Sequence, residues 1–198
     1  STLLYARSQN NNHLTSEATG LYTAALALPN HPESLKWRKL GIKWLNWSFE
    51  KQIDESGAYI QHSVNYHRLV LQLGLWVSAV NTKGTKKHKG SANTKKDKIL
   101  DDSHLHLSPQ VQVSCALCLT KISQKNLAAA TRWLAELTDP ISGNTPNLGG
   151  NDGAYIFPLA NGDFRDIRPV ISAASRVFLN EEPFPADEMS LWFSPFKP

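Results

Sequence analysis

Apolar residues recur at three- and four-residue steps along this chain, and prolines cut the pattern into separate blocks. Leu14, Ala18, Leu21, Ala25 and Leu28 form the first stripe, stopped by Pro29. With about 3.6 residues per turn, these positions share one face of a helix. The spacing predicts a helix from near Asn12 to Leu28. Pro32 and Glu33 open a second, with the preset φ of proline in the first turn and a carboxylate at the positive end of the dipole. It is expected to reach about Ile53, with Leu35, Leu40, Trp44, Trp47 and Ile53 as core candidates. Asp54-Glu55-Ser56-Gly57 reads as a turn, and 57–63 as a short irregular link. A third helix is expected from Asn65 to Val80, on Leu69, Val70, Leu73, Trp76, Val77 and Val80.

Further along, Ser108-Pro109 is a good helix start, a hydroxyl cap followed by proline. Val111, Cys115, Cys118, Leu119 and Ile122 mark its buried side. Another helix is expected over Gln124–Leu137, and a short one over Val170–Leu179. Thr138–Gly153, rich in Gly, Pro and Asn, is a loop, and the proline-rich tail is irregular. Nowhere does strand-type alternation persist. The fold class is therefore all-α, antiparallel helical hairpins side by side, without the fixed repeat of a solenoid. A length of 198 residues suits one domain with its own core.

The net charge of +4 is concentrated in one stretch. Lys83, Lys86, Lys87, Lys89, Lys95, Lys96 and Lys98 lie among Gly, Ser, Thr and Asn, inside a loop expected at 82–107. Such a stretch suits an acidic glycan or nucleic acid, or is simply a solvated loop. It carries no aromatics to stack on bases, so nucleic acid is not expected as a partner. Cys115-Ala-Leu-Cys118 has redox or half-zinc spacing, but no second Cys/His pair stands at finger spacing, so inert core thiols are expected and no metal. No apolar run approaches the ~18 residues of a membrane span, and no membrane partner is expected. The first residues lack the charged-then-apolar pattern of a signal peptide.

Three polar clusters interrupt the pattern. Ser8 to Glu17 contains Asn10, Asn11, Asn12 and His13. It reads as an Asn-capped helix start with His13 and Glu17 one turn apart, or as an anion site, because helix N-termini present free N–H groups. Gln61-His62-Ser63-Val64-Asn65-Tyr66-His67-Arg68 is dense in proton-transfer groups for a helix start. A cation beside a phenol favours its ionised form, which is how Tyr66 beside Arg68 becomes an acid or base; a capped helix with a half-buried Tyr is the plainer reading. Gly149-Gly150-Asn151-Asp152-Gly153 is a turn. It lacks both the strand–helix context of a nucleotide loop and the ligand alternation of a calcium loop.

Taken together, the clusters resemble the helical domain of heparinase II/III-like polysaccharide lyases. The matching pieces are Asn11-Asn12-His13 to Gly20, Asp54 to Arg68 with its Ser63-x-x-Tyr66-His67-Arg68, and Leu137-Thr-Asp139-Pro140 leading to Gly149–Gly153, spanning about residues 5–170. The resemblance implies an (α/α) toroid followed by a β-sandwich, with an acidic, uronate-containing polysaccharide in the cleft between them. It implies β-elimination at catalytic Asn12, His13 and Tyr66: Asn12 on the uronate carboxylate, His13 assisting or acting as base, Tyr66 as acid and also as base. Glu17 would orient His13, Arg68 would ease tyrosinate formation and touch the sugar acid, and Gln61, His62, His67, Asn151 and Asp152 would join the substrate-binding set. No cofactor is implied. The pattern further implies a toroid short of its early helices, a tail at 181–198 leading toward a missing β-sandwich, a periplasmic or secreted home, and little activity from this piece alone. A non-catalytic glycan-binding scaffold is the alternative.

Overall fold

The computed structural model describes residues 2–86, 119–150, 152 and 154–193. Among them are seven α-helices: α1 (Thr2–Gln9), α2 (Asn12–Ala27), α3 (Ser34–Lys51), α4 (Val64–Lys86), α5 (Lys121–Leu137), α6 (Arg168–Ala174) and α7 (Glu188–Phe193). A π-helical turn, Ser175–Leu179, continues α6 and ends at Asn180 in the left-handed region. The described residues contain no sheet, only an isolated antiparallel bridge between Ile53 and Tyr59. The all-α expectation holds. No described helix is long and apolar enough to cross a membrane.

Helices α2 and α3 pair as an antiparallel hairpin. Ser34 Oγ at the start of α3 donates to Ala25 O near the end of α2 at 2.9 Å, while Thr15 near the start of α2 donates to Gln52 just past the end of α3 at 3.0 Å. The backbones touch at Gly41, where a Cβ would sit 2.8 Å from Tyr22 N and 2.9 Å from Ala18 O. That contact decides which side of α3 faces inward. Its buried residues are Ser34, Gly41, Leu45, Ser48 and Phe49. The expected core set is corrected in part: Leu35 is 61% exposed and Leu40 and Trp47 are half-buried, while Trp44 is half-buried but packs against the core and Ile53, just past the helix, is buried. A glycine carries no hydropathy signal, yet it permits the closest helix approach.

Helix α4 is the hub. Leu69, Val70, Leu71, Leu73, Leu75 and Val77 are all buried, so it is wrapped on every side, and α2, α5, α6 and α7 pack around it. It runs on through Lys86 instead of ending near Val80, so the start of the lysine-rich segment is helical. Helix α5 begins at Lys121, where Thr120 caps it by accepting the Ser123 N–H at 3.0 Å. Ile122, expected in a core, is 57% exposed on its first turn. The helix expected from Ser108, both cysteines and Lys87 to Lys98 lie outside the described residues. Helices α1 and α7 were not expected; one holds only eight residues and the other six, too few for a periodic stripe.

Candidate functional site

The geometry of interest comes from two helix starts and the link that ties them. Helix α1 ends at Asn10, which takes φ 46°, and Asn11 then caps α2 by accepting the His13 N–H at 3.0 Å. The next free donor, the Asn12 N–H, is taken by Gln61 Oε1 at 3.0 Å, from the link before α4. Gln52, nearly inaccessible, binds from below. Its Nε2 donates to Asn11 O at 3.2 Å, and its Oε1 accepts from Thr15 Oγ1 at 3.0 Å and Tyr59 Oη at 3.4 Å. Residues 52–61 thus grip the first turn of α2 from two sides.

Three residues past Gln61, α4 opens in a similar way. His62 is exposed in the left-handed region at φ 46°. Ser63 Oγ accepts the Tyr66 N–H at 3.3 Å and donates to Gly150 O at 2.7 Å. Val64 N donates to Leu148 O at 3.2 Å. The loop before Asp152 therefore lies directly on the start of α4. Gly149 makes this contact possible: its φ is +71°, and a Cβ there would meet His62 O at 2.4 Å. The outcome is that the Tyr66 hydroxyl donates a hydrogen bond to Asp152 Oδ2.

That bond sets the electrostatics. The Asp152 carboxylate pushes the Tyr66 phenol above its ordinary range, first by the hydrogen bond and then with smaller help from desolvation and charge. Tyr59, buried beneath, is raised further by desolvation, and Tyr66 is near enough to add to it. The cation expected to favour tyrosinate does not do so. Arg68 is 1% exposed, and its guanidinium lies 4.4 Å from the Tyr155 ring centre and 4.1 Å from that of Phe164. It donates to Phe164 O at 2.5 Å and Asn65 Oδ1 at 3.1 Å. Two residues along a helix from Tyr66, it faces another side. His67 is equally buried, stacked on Trp133 at 4.7 Å, with Nε2 2.8 Å from Ala130 O. A carbonyl only accepts, so Nε2 carries the proton and Nδ1 is bare, buried without a partner. Desolvation lowers its pKa to about 4. His67 and Arg68, both candidates for the substrate-binding set, are buried in the core, where they support the start of α4.

The remaining candidates lie nearer the surface. Asn12, Glu17 and Gln61 are half-buried, and His13 is exposed, its ring edge-to-face with Tyr5 at 6.2 Å. From His13 an open groove of about 620 Å³ follows α2 past Ser16, Glu17 and Gly20 to Trp37. Tyr66 does not line it; the two helix starts are joined through Gln61, Gln52 and Tyr59. Asn151 lies outside the described residues. No trio of His, Cys, Asp or Glu among the described residues could hold a metal. Gln52, Tyr59 and the Tyr155–Phe164 clasp escaped sequence reasoning. Of these only Gln52 had a signal, a lone amide just before a turn at the end of an apolar stripe.

An all-α unit whose paired helix starts carry Asn12-His13 and Ser63-x-x-Tyr66 is the class defined by this geometry. Residues 3–94, a little under half of the chain, match the family model described as heparinase II/III N-terminus, a match that supports membership of the heparinase II/III-like family. The match takes in both helix starts and stops short of the loop bearing Asp152. No curated protein and no solved structure matches the chain.

Proposed function

We propose that this chain is the helical domain of a polysaccharide lyase, cleaving a uronate-containing acidic polysaccharide by β-elimination. The family match over residues 3–94 supports the lyase class. The observation that carries the reading is the Asn12–Gln61 hydrogen bond, which binds the amide-bearing start of α2 to the link that leads, five residues on, to Tyr66. In this reading Asn12, with His13 beside it, neutralises the uronate carboxylate, so that loss of the C5 proton leaves an enolate-like charge held by donors. Tyr66 handles the protons, including the one delivered to the departing O4. Gln61 and His62 border the sugar, and the groove from His13 to Trp37 receives the chain beyond it. The acidic polymer is a glycosaminoglycan, alginate or an exopolysaccharide, met in the periplasm or outside the cell. The other wall of the cleft is the β-sandwich that the family resemblance implies, closing an (α/α) toroid built from these hairpins.

The test is a panel of uronate polymers incubated with the full-length protein carrying this sequence. Elimination leaves a C4–C5 double bond conjugated to the carboxylate, so ultraviolet absorbance rises with each cut. Hydrolysis would release reducing ends without absorbance, and a binding scaffold would retain polymer without either signal. Either result contradicts the lyase reading.

A further inference from the structure

We infer that Asp152 is the proton-relay partner of Tyr66, so that the phenol takes and gives protons without ever standing as a tyrosinate. This rests on the lyase reading of the site and deepens it. The premise is geometric. Tyr66 has a carboxylate on its hydroxyl, and the nearby cation that would favour an anion, Arg68, is turned into the core and clasped by two rings. A lone tyrosinate at this place would face the Asp152 charge, and among the described residues the other ionisable group coupled to it is the buried Tyr59 phenol, which offers no positive charge. A base that must ionise first is poorly served here. A base that passes its own proton on at the same moment is well served.

The steps balance. The C5–H bond breaks and its proton moves to Tyr66 Oη, while the Tyr66 proton moves to Asp152 Oδ2, making a carboxylic acid. The electron pair left at C5 forms the C4–C5 double bond as the C4–O4 bond breaks. Tyr66 then gives its proton to O4 and recovers one from Asp152, which ends as a carboxylate again. The anchoring of the loop supports this. Ser63 to Gly150 O, Val64 to Leu148 O and the close seat of Gly149 on His62 fix the loop to the same first turn that carries Tyr66. Asp152 thus acts through Tyr66 as a positioning residue, and direct sugar contact is not its main task.

The experiment has two arms. In the first, tyrosine labelled with carbon-13 at Cζ is titrated in residues 1–198, with Tyr66 assigned by its loss in Tyr66→Phe. Tyr66 should titrate above the ordinary value near 10 in the wild type, fall toward it in Asp152→Asn, and be restored by Asp152→Glu. An unchanged Tyr66 titration in Asp152→Asn overturns the pairing. In the second arm, full-length protein is assayed on its best polymer. Asp152→Asn should lower kcat ~10²–10⁴-fold, the usual loss for a proton-transfer group, with KM little changed and partial rescue by glutamate. A variant that keeps kcat and raises KM makes Asp152 a sugar contact and overturns the relay alone. A wild type silent on every polymer overturns the lyase reading and the relay with it, whatever the titration shows.

Discussion

Gln61 Oε1 holds the backbone N–H of Asn12 at 3.0 Å, a bond between residues 49 positions apart that fixes the first turn of α2 against the entry to α4. A part-buried amide N–H that loses its acceptor costs roughly 1 kcal/mol. Gln61→Leu should therefore lower the melting temperature by only a few degrees, while Gln61→Glu, which keeps an acceptor, should change it less. Thermal denaturation of the three proteins checks this. A Gln61→Leu protein as stable as the wild type would show that the link does not hold α2.

Gln52 makes a larger demand. Gln52→Leu would leave the buried Thr15 hydroxyl and Asn11 carbonyl without its amide, so a loss of ~2–4 kcal/mol is expected from denaturant unfolding. Gln52→Glu should also destabilise, because a buried carboxylate cannot donate to Asn11 O.

Gly149 sits at φ +71°, with the His62 carbonyl where a Cβ would go. Gly149→Ala should cost more than ~1 kcal/mol and push the loop off α4. The distinguishing readout is Tyr66, whose titration should fall toward that of an ordinary tyrosine as Asp152 is carried away. Stability lost without that shift would separate the loop from the phenol.

His67 gives a pH dependence with a definite sign. Burial holds its folded pKa at about 4, against 6.5 in the unfolded chain. Between those values the unfolded state binds the extra proton. The contribution is fully present above about pH 6.5 and is lost as pH falls toward about 4, on the order of 3 kcal/mol in total. Unfolding free energy followed across that window should show a slope that His67→Gln flattens. An equal slope in both proteins would mean that His67 is reached by solvent.

Much of the fold was legible because strong apolar periodicity and capping chemistry agree. Asn11 and Thr120 cap helices as their side chains allow, and α2, α3 and α5 begin and end within a few residues of where the pattern places them. The inward side of α3 was not legible, because the close contact is made by Gly41, which no hydropathy pattern marks. The candidate site divides along the same line. Adjacency in sequence suggested that Tyr66, His67 and Arg68 would work together. A helix turns ~100° per residue, so the three point to different sides, and only Tyr66 stays near the surface. The partner of Tyr66, Asp152, stands 86 residues away and is brought in by a glycine turn whose geometry a sequence does not display.

The proton chemistry at Tyr66 is the claim on which the functional account stands. The most direct measurement compares full-length wild type with Tyr66→Phe on the polymer that gives the fastest rise in ultraviolet absorbance. The phenyl ring preserves packing and removes only the hydroxyl, so folding should be unchanged while kcat falls by ~10²–10⁴-fold. A folded Tyr66→Phe protein that forms unsaturated product at the wild-type rate would contradict the account.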